Sequence, residues 1–87
     1  MDVTTTEQAE GLRRAAEIVA ESSHGSRMLH RDDGALLATI GPELGRPLAA
    51  MLLVAATTVE RQGNAEGCRN ALEFSSLLVG RDLGYRA

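Results

Sequence analysis

The sequence predicts an all-α protein, a small bundle of three to four helices with a central apolar helix at about residues 43–62. Three observations carry that expectation. Apolar side chains return every three or four residues across 9–19 and again across 68–79, which is the repeat of one helix face. No charge falls between Arg46 and Glu60. Gly41-Pro42 and Gly63 bracket that uncharged run, and Gly80 follows the last stripe, as befits helix starts and stops.

At 87 residues the chain has room for one domain, read as residues 1–80 with a flexible C-terminal tail at 81–87. A domain this small buries only about 60–65% of the surface that it exposes when unfolded. Phe74 and Tyr85 are the only aromatics in a chain that is 44% apolar, so the core must be aliphatic, with Ala as filler. Nine Arg against twelve acidic residues leave a net charge of −3, and there is no Lys. The acidic balance argues against a domain whose main task is holding phosphate backbones. The missing Lys excludes Schiff-base, P-loop and general-base lysines. A single cysteine, Cys68, excludes an intramolecular disulfide and a multi-cysteine zinc site.

Thr4 and Glu7 stand in capping-box spacing, in which each side chain satisfies the other residue's backbone N–H. The first helix is therefore expected at about 5–22. Leu12, Ala16 and Val19 form its stripe, flanked by Ala9, Ala15 and Ile18. Gly11 lies inside it at a cost of about 1 kcal/mol relative to Ala. Residues 27–40 admit two readings. Asp32 or Asp33 can cap a short helix carrying Leu36, Leu37 and Ile40, or Asp33-Gly34 can turn a hairpin between MLHR and ALLATI. Two isolated strands are marginal without a sheet to join, and no third strand candidate follows. With Ala35 and Ala38 added, the balance favours a helix.

In the next helix Leu44, Leu48, Met51, Leu52, Ala55 and Val59 share one face, while Leu53 and Val54 lie off it. A helix apolar all round is buried on more than one side. Residues 47–59 are nevertheless too few for a membrane span, which needs about 18–20 apolar residues. The opening MDVTTT lacks the basic and apolar regions of a secretory leader, so a cytoplasmic protein is expected. Asn64 is positioned to cap the last helix, whose stripe is Cys68, Ala71, Leu72, Ser75, Leu78 and Val79, with Phe74 beside it.

Few groups suggest chemistry. His24, His30, Asp32 and Asp33 crowd together but lack the i,i+3 or i,i+4 spacing that puts metal ligands on one helix face. Cys68 sits near a helix start, where a thiol pKa can fall, but a nucleophile also needs a base, and a Cys on an apolar stripe reads as a small buried hydrophobe. The Gly41–Gly45 and Gly63–Gly67 loops match no phosphate-binding pattern, and each carries a glutamate. No nucleophile, base and orienting group can be assembled, so an enzyme is not expected, nor any cofactor or metal.

The arrangement Gly41-Pro42-Glu43-Leu44-x-x-Pro47-Leu48-Ala49-Ala50-x-Leu52, followed by Ala71-Leu72 and Leu77-Leu78-Val79-Gly80, resembles small helical proteins of unassigned function from actinobacteria and their phages. The likeness covers about residues 41–80, and the Arg-only basic set is in keeping with GC-rich coding. The resemblance implies an accessory or phage protein that binds a host or viral protein, with no catalytic residues to carry over.

Surplus apolar area on the central helix points independently to a second chain, most simply a two-fold homodimer. The expected interaction surface is Leu44, Leu48, Met51, Leu52, Leu53, Ala55 and Val59. The competing reading is a small DNA-binding regulator that uses the last helix, with Arg69 and Asn70 as the nucleic-acid contacts.

Overall fold

The computed structural model describes residues 3–24 and 28–84, apart from the side chains of Ser23, His24 and Pro42. In chain order the elements are helix α1 (Thr5–His24), strands β1 (Met28–His30) and β2 (Leu36–Thr39), helix α2 (Pro42–Gln62), a single 3-10 turn (Glu66–Cys68) and helix α3 (Arg69–Val79). The fold is mixed and mainly helical, not the all-α bundle that the sequence predicts. The hairpin overturns that expectation.

Helix α1 opens on its capping box: the Glu7 N–H donates to Thr4 Oγ1 at 3.1 Å, and the Thr4 N–H donates back to Glu7 Oε1 at 3.4 Å. Its apolar stripe is the centre of the molecule. Ala9, Leu12, Ala15, Ala16, Ile18 and Val19 are all buried, because α1 packs against both α2 and α3 while those two scarcely meet. The central helix is therefore α1. The expectation that the apolar 43–62 helix occupies the middle fails, since α2 covers α1 from one side only.

The hairpin forms for a reason that an isolated pair of strands lacks: it has a helix to lie on. β1 and β2 pair antiparallel with Met28 opposite Thr39, Leu29 opposite Ala38 and His30 opposite Leu36, so the ladder skips Leu37. The turn is built by Gly34 N–H donating to the Arg31 carbonyl at 2.8 Å, with Gly34 at φ +94°. The Arg31 N–H donates to the Ala35 carbonyl at 2.8 Å, so a three-residue loop with a left-handed glycine at its end joins the strands, a common hairpin length. Leu29 inserts into the core, the Asp32 N–H donates to the Leu78 carbonyl at 2.9 Å, and Arg14 of α1 pairs with Asp32 at 2.7 Å. Together these replace the missing third strand.

Gly41 and Pro42 begin α2, and Pro47 falls inside the helix. Gly63 ends α2 at φ +72°, its N–H donating to the Val59 carbonyl at 2.9 Å. Asn64 does not cap α3 directly. Its Oδ1 accepts from the Glu66 N–H at 3.1 Å, which opens the 3-10 turn, and α3 starts at Arg69. Gly80 closes α3 in the left-handed conformation.

Residues 81–84 do not run loose after Gly80. Leu83 is only 1% exposed, and its N–H donates to Ser76 Oγ at 3.1 Å while its carbonyl accepts from Gln8 Nε2 at 3.0 Å. Residues 81–84 of the expected flexible tail are docked, and residues 85–87 lie outside the described residues.

Candidate functional site

Helix α2 carries the sequence-predicted surface, and its one-sided packing divides that surface in two. Leu52 (3% exposed), Ala55 and Val59 are buried and belong to the core, so they are not part of the outer face. Leu48 is half-buried at the edge. Leu44, Met51 (68% exposed) and Leu53 point into solvent, and so does Val54 at 66%, which the sequence pattern set aside as lying off the apolar face.

The helix is apolar on both sides, but only one side is covered. Its outer surface between residues 47 and 59 consists of Pro47, Ala50, Met51, Leu53, Val54 and Thr57, all exposed and all uncharged. The Thr57 and Thr58 hydroxyls donate to the Leu53 and Val54 carbonyls at 3.2 and 2.9 Å. With its polar atoms turned back onto the helix backbone, this surface presents mainly carbon.

A groove of about 830 Å³ runs along one flank of α2, between it and the α3 side of the molecule. Leu48, Met51 and Ala55 form one wall, and Cys68, Ala71 and Phe74 the other. It exists because α2 and α3 each contact α1 but hardly contact one another. The Cys68 thiol lies 3.9 Å from the Ala55 carbonyl and is half-buried. Leu77, one turn beyond Phe74, is exposed as well.

Arg69 and Asn70 are exposed at the start of α3, on the groove rim with Glu66. Most other described arginines are committed to carboxylates: Arg13 to Glu60, Arg14 to Glu17 and Asp32, Arg31 to Asp33, and Arg81 to Glu7. These bonds hold the Glu60 and Asp33 carboxyls below their ordinary range, through Arg13 for Glu60 and through Arg31 with the Ala35 N–H for Asp33. They also raise the Arg14 guanidinium, chiefly through Asp32. Four of the seven described arginines are thus held in ion pairs, while Arg46, Arg61 and Arg69 are in none among the described residues.

Among the described residues no three His, Cys, Asp or Glu side chains come together as a metal site. Asp32 and Asp33 are engaged by arginines, and the His24 side chain lies outside the described residues. No described helix is long and apolar enough to cross a membrane. Comparisons with protein-family models, with curated proteins and with solved structures find no match to this chain.

Proposed function

We propose that this chain is a non-enzymatic protein–protein docking module of the cytoplasm, which associates with a second copy of itself through the outer face of α2. One observation carries the reading. From Pro47 to Thr57 the outer surface of α2 is uncharged and exposed, with Met51, Leu53 and Val54 standing free. Contiguous apolar surface of this kind on a small domain marks an interaction site, and small domains commonly gain stability by associating. The resemblance to accessory proteins of actinobacteria and phages supports the same class of action, binding without catalysis.

A single helix face makes a small interface, so self-association is expected in the micromolar range. The test is light scattering on Met51→Glu and Leu53→Glu, with Leu77→Glu on α3 as the control. Both α2 variants should retain wild-type helicity, because these side chains are already exposed, and both should lose self-association. The control should associate as wild type does. If both α2 variants associate like wild type, the surface is wrong. Low-salt DNA binding that is abolished by Arg69→Ala would favour the regulator instead.

A further inference from the structure

The outer face of α2 has an internal symmetry that specifies how two copies meet, and this inference rests on the self-docking proposed above. Glu43, Pro47, Ala50, Val54, Thr57 and Arg61 lie along the line diametrically opposite Leu52, the residue that points into the core. All six are exposed. Their spacing alternates four and three residues, which is the 3.5-residue repeat of a helix-packing seam. The spacing also reads the same from either end.

That palindrome matters because the residues on it are complementary when one copy is reversed. With a two-fold axis level with Leu52, Glu43 lies against Arg61 of the second copy, Pro47 against Thr57, and the small Ala50 against the larger Val54. Each contact occurs twice, as a two-fold interface requires. Met51 then meets Met51 of the second copy on one flank, and Leu53 meets Leu53 on the other. A parallel pair fails on the same residues, since it sets Glu43 on Glu43 and Arg61 on Arg61. Like charges facing each other across an interface select against that arrangement. No ion pair among the described residues engages Glu43 or Arg61 within the chain.

We infer that the chain forms an antiparallel two-fold dimer through α2, centred at the level of Leu52, with Glu43 and Arg61 of opposite copies fixing orientation and register. The ion pairs at the two ends act mainly on specificity, and the uncharged middle of the seam supplies the burial.

A charge-swap series read by sedimentation equilibrium tests this, with circular dichroism to follow helicity. Glu43→Arg and Arg61→Glu should each weaken the dimer about tenfold, since each converts two exposed attractions into repulsions. The double variant E43R/R61E should recover most of that loss. Both substitutions put the wrong charge at an end of the α2 dipole, so a merely structural role would make the double variant worse than either single one. High salt should shrink all these differences.

A second measurement does not depend on charge. In a Cys68→Ser background, Ala50→Cys chains mixed with tagged Val54→Cys chains should oxidise mainly to the mixed disulfide. A dominant Ala50→Cys self-linked product, or a double swap without recovery, would overturn the antiparallel assignment while leaving a dimer in place. A wild-type chain that stays monomeric would instead overturn the docking reading on which this inference rests.

Discussion

Gly11 shows how one residue can report on a contact far away in sequence. It sits inside α1, where it costs about 1 kcal/mol relative to Ala, and nothing in the local pattern explains it. The structure does: a Cβ built at Gly11 would lie 2.5 Å from a Leu83 methyl group. The glycine leaves room for the residue that docks the chain after α3, and Gln8 one turn earlier holds the Leu83 carbonyl. Gly11→Ala gains helix propensity but displaces a fully buried Leu, worth about 2 kcal/mol. A net destabilisation of about 1 kcal/mol is therefore expected. Chemical denaturation should show it, and the amides of residues 81–84 should exchange faster. The sequence contained the signal, since a helix-interior glycine asks what packs on it. It could not say which residue answers, because Leu83 follows a helix-stopping glycine in a charged segment that resembles a loose end.

The hairpin shows where local reasoning stops. Asp33-Gly34 falls within the turn, although the bonded turn is Arg31–Gly34 with Asp32-Asp33 at its centre, and a strand pair of this size is decided by what it packs on. Leu29 in the core and Asp32 on Arg14 are long-range contacts that no window around residues 27–40 displays. Two other carboxylate pairings, those of Glu60 and Asp33, set the acid response of the elements. Glu60 joins α2 to Arg13 of α1, and Asp33 holds the turn, both with folded-state pKa values below their ordinary 4.5 and 3.8. The unfolded chain then binds more protons than the folded one as pH falls. The stabilisation is complete above those ordinary values and is lost as pH drops through the depressed ones. The thermal midpoint should hold steady from about pH 7 to 5 and fall below about pH 4. Arg13→Ala should reduce that fall, as measured by melting curves at stepped pH. Exposed pairs contribute little each, so the effect should be modest. A midpoint that rises on acidification would contradict it.

At the scale of the whole molecule, the arrangement of three helices decides which residues are available for binding. Helical spacing showed that α2 is apolar on more than one side. It could not show which side meets α1, so Leu52, Ala55 and Val59 were expected on the surface and Val54 was not. Once α1 is central and α2 peripheral, the leftover face is fixed: it is the one opposite Leu52, bare, uncharged between its ends and self-complementary under a two-fold rotation. The central claim is that this face docks a second copy, and the most direct measurement is the mass of the wild-type chain in solution. Sedimentation equilibrium from about 1 to 300 µM spans the micromolar range expected of so small an interface. The account predicts a mass that climbs from 9.2 kDa toward twice that value and levels off there. A mass that stays at 9.2 kDa throughout would contradict it.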